Sequence, residues 1–176
     1  MIDPNYRKYR IIGSESMRKE LVAILVVSGL GAVTTIVSAA DELEFSGHIE
    51  ARQSLMTLYK FNLGVLGAMA RERTPYDADT AKAAADNMLA ISNMKNGAMW
   101  PAGSDMSAEG YEGATWAKPE NWSNYAEVSE KSAAMNEALE ALAAEAGTGL
   151  DGVRSNLGAV GNACKGCHES FRADKE

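Results

Sequence analysis

Leu150-Asp151-Gly152-Val153-Arg154-Ser155-Asn156-Leu157-Gly158-Ala159-Val160-Gly161-Asn162-Ala163-Cys164-Lys165-Gly166-Cys167-His168-Glu169-Ser170-Phe171-Arg172 is the stretch that decides the architecture. Val153, Leu157, Val160, Cys164, Cys167 and Phe171 recur at helical spacing, so this segment reads as an amphipathic helix over about Leu150 to Arg172 with those side chains inward. Immediately before it, Gly147-Thr148-Gly149 is a short turn. A helix of the same kind precedes the turn, from about Trp122 to Ala146, with Val128, Met135, Leu139 and Leu142 as its stripe.

Further upstream, Gly97, Pro101, Gly103, Gly110, Gly113 and Pro119 crowd residues 97–121. That density of breakers marks a long loop, and a connection this long is usually functional or packed by its own side chains. Trp100, Tyr111, Trp116 and Trp122 are the candidates for that packing. Before the loop, Ala81, Ala84, Met88 and Ile91 line a helix from about Asp77 to Asn96, with Asp77 or Asp79 placed to cap it. The first helix carries Phe45, Ile49, Arg52, Met56, Tyr59, Leu63, Leu66 and Ala70 at alternating spacings of four and three, and Thr74-Pro75 ends it. No strand pattern competes. Four amphipathic helices with short first and third connections predict an all-α, antiparallel up-down-up-down four-helix bundle.

Residues 18–40 open with a basic start, continue as an apolar run from Leu21 to Val37 and end in Ser38-Ala39-Ala40. That order is a secretory signal. It predicts a signal peptide over 17–40 with Met17 as initiator, an upstream extension over 1–16, and a mature domain over 41–176. The competing reading is an uncleaved anchor, since Leu21 to Ala40 carries no charge over a span-length stretch; Ser28, Gly29, Gly31, Thr34, Thr35 and Ser38 argue for cleavage. Both readings export the remainder, and the predicted location is the periplasm. From Asp41 onward, 12 Lys and Arg stand against 21 Asp and Glu, a formal charge of −9. Such a surface excludes nucleic acid as a partner and suits partners that present positive charge.

The chain has only two cysteines, Cys164 and Cys167. In Cys164-Lys165-Gly166-Cys167-His168 they form a Cys-x-x-Cys-His sequence, the signature of covalent haem attachment. Cysteines three apart on a helix share a face and reach two vinyl groups of one macrocycle, and the adjacent histidine offers an axial ligand to iron. A disulfide or redox pair and half of a zinc site are the alternatives. Zinc needs a further ligand, and His48 is the one other histidine; a thioredoxin-like pair belongs at a βα junction that is lacking here. The expected cofactor is one covalently attached haem c per chain.

Arg52-Gln53, Leu66-Gly67-Ala68, Pro75-Tyr76-Asp77, Trp100-Pro101, Lys118-Pro119-Glu120-Asn121-Trp122, the haem motif and Phe171-Arg172 together resemble the cytochrome c′ family across residues 45–173. The resemblance implies a haem near one end of the bundle, with Arg52 and Gln53 near its propionates and Arg172 beside its proximal face. It also implies a homodimer through the first two helices, although Lys60, Asn62, Val65 and Met69 give helix one a mixed outer face. The family commonly carries Tyr before this arginine; Phe171 stands there, so no phenol role applies. Arg172 also reads as a C-terminal cation facing the helix dipole. Arg52 interrupts an apolar stripe, and a charge there calls for a partner such as a carboxylate.

Met56 occupies the position that covers the distal haem face in this family. If its sulfur binds iron, the haem is six-coordinate and the protein is an electron carrier. If Met56 only packs, the usual role of a methionine on an apolar stripe, the iron is five-coordinate and small uncharged ligands such as NO and CO enter. Arg52-Gln53 resembles the five-coordinate branch, which the reading therefore favours. His48, two turns before Met56, is a weaker rival ligand. No catalytic constellation appears, so the protein is expected not to be an enzyme. Its expected partners are gaseous ligands and redox proteins.

Overall fold

The computed structural model describes residues 43–174; the predicted extension over 1–16 and signal peptide over 17–40 lie outside the described residues. Four long helices, α1 (Ser46–Ala70), α2 (Ala78–Ser92), α4 (Tyr125–Glu145) and α5 (Leu150–Phe171), form the bundle, with a one-turn α3 (Glu120–Ser123) leading into α4. Each long helix packs on two others: α1 on α2 and α5, and α4 on α2 and α5. Among the described residues there is no named strand, only one isolated bridge between Ala117 and Arg172, and no helix is long and apolar enough to cross a membrane.

Local chemistry sets the helix ends. Asp77 caps α2, its carboxylate accepting from the Thr80 amide at 2.8 Å. Helix α2 stops at Ser92, four residues short of the predicted Asn96, with Asn93 as its last helical cap. The predicted third helix is interrupted at Asn124, whose backbone (φ −120°, ψ 56°) leaves the helical region between α3 and α4. At the α4–α5 turn, a Cβ on Gly152 would collide with the Glu145 carbonyl, so a side-chain-free residue lets the turn close. Tyr76, just after Pro75, donates its hydroxyl to the Ala146 carbonyl at 2.9 Å and ties the first connection to the third.

The packed core lies toward that end of the bundle. Leu66, Met69, Ala81, Ala84, Ala85, Met88, Leu139, Leu142, Ala143, Ala146, Val153 and Val160 form one buried cluster, and Tyr59, Leu63, Met135, Leu157 and Cys164 pack against it only partly buried. The alanines of α2 let helices approach closely, while dispersion and area burial from Leu, Met and Val supply the cohesion. Two residues assigned to the outer face of α1 belong elsewhere: Met69 joins this core, and Asn62 is buried, donating to the Leu58 carbonyl and accepting from Asn87 of α2 at 3.2 Å. On the α1 stripe, Arg52 and Leu66 are buried and Tyr59 and Leu63 pack against the core, whereas Met56 lies outside the core cluster.

The long loop over 93–119 crosses the opposite end and is packed by its own aromatic residues. Buried Tyr111 stacks on Phe45 with centroids 6.4 Å apart, and its hydroxyl accepts from the Phe45 amide at 3.0 Å. Gly110, in the left-handed region at φ 81°, makes the turn that presents Tyr111. Trp122 donates its indole N–H to the Trp100 carbonyl at 3.0 Å, and the two rings lie 5.8 Å apart.

Candidate functional site

The last two turns of α5 place Cys164, Cys167 and His168 at i, i+3 and i+4, which is one helical face. All three are half-buried. Cys164 donates its thiol to the Met135 sulfur of α4 at 4.0 Å. Burial pushes both thiols up in pKa; around Cys167, the neighbouring Cys164 and Glu127 act in the same sense and Lys131 opposes them. Burial and then the charge of Arg172 push the His168 imidazole down, favouring the neutral ring, the form that ligates metals.

The end of α5 is held by partners drawn from α4 and from the segment leading into it. Ser170 donates to Glu127 at 2.8 Å, and Asn124 donates to the other oxygen of that carboxylate at 2.7 Å. The Phe171 carbonyl accepts from the Lys118 amide at 3.0 Å and from the Asn121 side chain at 2.8 Å, and the Ala173 amide donates to the Trp116 carbonyl at 2.9 Å. Terminal helix carbonyls have no partner within the helix, so the loop supplies one and fixes the turn that carries His168. A surface cleft of about 730 Å³ opens beside His168, lined by Lys118, Lys165, Glu169, Arg172 and Asp174.

Across the bundle, Arg52 is 5% exposed. The carboxylate expected as its partner is replaced by a different solution. One guanidinium nitrogen donates to Ser104 Oγ at 2.7 Å and the Met99 carbonyl at 3.3 Å, and a second donates to the Ser104 carbonyl at 2.8 Å. The planar cation also lies over the Trp100 ring at 4.7 Å and the Trp122 ring at 5.7 Å. Desolvation pushes its pKa down, and the field of Asp105 opposes that shift. Asp105 makes no ion pair with it, being held by Ser107. Gln53 donates to the Ala114 carbonyl at 2.8 Å. Both polar residues at the start of α1 therefore grip the long loop. Met56 follows one turn later, and His48 is exposed at the head of the helix, its ring edge-on to Phe45.

Two residues that touch the site carried no site signal in the sequence: Met135, which bonds Cys164 and reads as a core stripe position, and Ser104, whose importance lies in its contacts with Arg52. The donor set fits a covalently attached haem. It consists of two thiols and a neutral imidazole on one face, at the level where the packed core gives way to partly buried Tyr59, Met135 and Cys164. It does not fit a bare metal ion, since no group of three or more His, Cys, Asp or Glu side chains able to hold one occurs among the described residues.

Residues 47–172 match the sequence profile of the family described as Cytochrome C′. The chain belongs to the cytochrome c′ family. It is 38% identical over 137 residues to cytochrome c-554 of Cereibacter sphaeroides, covering 76% of this chain and 86% of that protein. Its fold is similar to that of a solved cytochrome c′ from Rhodobacter sphaeroides, with 31% identity and a TM-score of 0.70, covering 75% of this chain and 99% of the other. It is also similar to a carbon-monoxide-bound variant of cytochrome c′ from Alcaligenes xylosoxidans, with 28% identity and a TM-score of 0.63 over 75% of this chain and 98% of the other. As a member of the cytochrome c′ family, the chain is a four-helix-bundle haem protein that carries covalently bound haem c.

Proposed function

We propose that this chain binds small gaseous ligands, NO and CO, at a five-coordinate haem, and transfers electrons through the same iron. The observation that carries the reading is the shared α5 face of Cys164, Cys167 and His168, at the level where the packed core ends. In this reading Cys164 and Cys167 form the two thioethers, and His168 is the proximal axial ligand, oriented by the carbonyl ties at Phe171 and by Ser170 on Glu127. When bound, haem supplies a redox-active iron with one open coordination position. Arg52 and Gln53 fix the long loop at the propionate end. Arg172 sets a positive charge beside the proximal imidazole. Met56 covers the distal side, and its apolar body keeps polar ligands out. The residues hold and tune a cofactor rather than activate a substrate, so the protein is read as a carrier and ligand binder, not an enzyme.

The reading extends to location and assembly. Residues 17–40 direct export, residues 1–16 precede the initiator, and the haem domain over 41–176 works in the periplasm. An apolar groove of about 750 Å³ on α1, lined by Thr57, Phe61, Gly64, Val65, Ala68 and Pro75 among others, suits self-association through α1 and α2 into a homodimer. Redox partner proteins that present positive charge complement the acidic mature chain.

A second reading has one observation in its favour. Met56 stands outside the core cluster although its stripe neighbours Tyr59, Leu63 and Leu66 belong to it or pack against it. A thioether not engaged in core packing would be available to iron, which would make a six-coordinate His/Met electron carrier. Visible spectra of haem-loaded protein decide between them. A broad high-spin spectrum with ready CO binding, little altered at rest by Met56→Ala, is the expected result. A sharp low-spin spectrum that Met56→Ala converts to high-spin would overturn the five-coordinate reading.

A further inference from the structure

Lys165, Glu169 and Arg172 follow one another at i, i+4 and i+7 along the end of α5, so they share a helical face that flanks the one carrying Cys164 and Cys167. His168 stands where the two faces meet. The facing wall comes from the end of the long loop. The Lys118 amide donates to the Phe171 carbonyl at 3.0 Å, and the Lys118 ammonium donates to the Glu169 carbonyl at 3.2 Å. The isolated bridge between Ala117 and Arg172 fixes the backbone beside it. Between these walls lies the cleft of about 730 Å³ that His168 lines with Lys118, Lys165, Glu169, Arg172 and Asp174.

The sign of this cleft is the reverse of the chain's. Lys118, Lys165 and Arg172 stand against two carboxylates, Glu169 and Asp174. Lys165 already holds the Glu169 carboxylate in a surface ion pair at 3.5 Å. From Asp41 onward 12 cations face 21 carboxylates, and three of those cations gather at this one place, beside the iron-ligating side chain. Lys118 and Arg172 also suit the negative end of the α5 dipole, but that field fades beyond the last turn. Lys165 lies further in, with its side chain 73% exposed, and the dipole does not account for it.

We propose that this cleft is the docking site of a redox partner protein, which presents a cluster of carboxylates to Lys118, Lys165 and Arg172 and exchanges one electron with the haem iron past the edge of His168. The electron leaves ferrous iron for the partner's oxidised centre, or enters ferric iron from its reduced one, and no bond forms or breaks. The site deepens the electron-transfer part of the reading above and holds whether or not Met56 ligates. It also divides the electrostatics in two. The acidic chain draws in a partner of positive net charge from a distance, and the cleft selects the face on which that partner docks.

Salt dependence separates the cleft from the chain as a whole. Reduced, haem-loaded protein is mixed with ferricyanide, an anion, or with tris(phenanthroline)cobalt(III), a cation. Between about 0.1 M and about 1 M salt the screening length falls from about 10 Å to about 3 Å, so each probe senses mainly the charges where it docks. Oxidation by ferricyanide is expected to slow as salt rises over this range, against the sign of the net charge, and to be about tenfold slower in Lys118→Gln/Lys165→Gln at the low-salt end. Binding is read apart from electron transfer, by fluorescence anisotropy of a dye-labelled hexaglutamate peptide, which the native protein is expected to bind about tenfold more tightly than the double variant. Lys165→Gln alone changes only an exposed side chain and is expected to act in the same direction with smaller size. Ferricyanide oxidation that speeds up with salt in native protein, or hexaglutamate binding unmoved in both variants, overturns the proposal. A double variant that loses stability but keeps the native salt slope overturns it too, because the lysines would then serve the helix end only. Reduced protein that yields no electron to either probe overturns the electron-transfer reading instead, and peptide binding then decides the cleft alone.

Discussion

The Arg52 guanidinium lies 4.7 Å from the centre of the Trp100 ring, a cation held against an aromatic face 48 positions away in the chain. This pairing, with the three hydrogen bonds to Ser104 and Met99, makes α1 and the long loop one unit. Arg52→Ala is expected to destabilise the protein by about 2–4 kcal/mol, because the buried Ser104 groups lose charged donors and are left short of partners. Arg52→Lys recovers little of it, since an ammonium cannot reproduce the flat fork that bonds Ser104 twice while stacking. Urea unfolding of the three proteins checks both statements; a lysine variant as stable as the parent would show that charge alone matters here.

Gly152 sits where the first turn of α5 passes under the Glu145 carbonyl. Gly152→Ala ordinarily gains helix propensity. Here the added methyl meets backbone, which cannot swing aside as a side chain does, and a loss of about 1–3 kcal/mol is expected. A raised melting temperature for the alanine variant would refute the close approach.

Asp77 links stability to acid. Its carboxylate accepts from Thr80, which holds its pKa below the ordinary 3.8. A depressed folded pKa means that its contribution is fully present above about pH 4 and is lost as pH falls through the folded value. Asp77→Ala should therefore lower the melting temperature at pH 7, and the gap to the parent should close progressively below pH 4. A gap that stays constant from pH 7 to pH 2 would remove the cap from the explanation.

Phe61 is 67% exposed on the α1 groove. If that groove is the contact between two copies, Phe61→Asp places a charge in the interface and is expected to convert dimer to monomer at micromolar concentration. Sedimentation velocity reads the change directly. A native protein that already sediments as a monomer would dismiss the homodimer.

Helices were the legible part of the sequence, because burial imposes a period that survives in the residues themselves. Ala81, Ala84, Met88 and Ile91 were placed inward and are all buried. The haem motif was equally legible, being contiguous. The break at Asn124 was not, since it has neither proline nor glycine, and an Asn inside an apolar pattern reads as a surface position. The end of α2 at Ser92 was masked by Met94 and Lys95, good helix formers that continue the pattern without continuing the helix. The partners of Arg52 were beyond reach for a different reason. A buried cation announces that it needs acceptors, but whether carboxylate, carbonyl or ring supplies them depends on how a loop of some 27 residues lies across the bundle. Asn62 shows the same limit: its amide finds Asn87 only once α1 and α2 are in register.

The loop over 93–119 closes a seam that no turn spans. Short connections join α1 to α2 and α4 to α5, but α1 and α5 pack side by side with no direct link between them. One strap reaches Arg52 and Gln53 on α1, while its far end at Lys118, with Asn121 just after it, reaches Phe171 on α5. The first and last helices are thus held together at this rim by a segment that belongs to neither. Opening the bundle there must break charged and backbone hydrogen bonds as well as apolar contacts, so the residues that frame the cofactor also keep that seam shut.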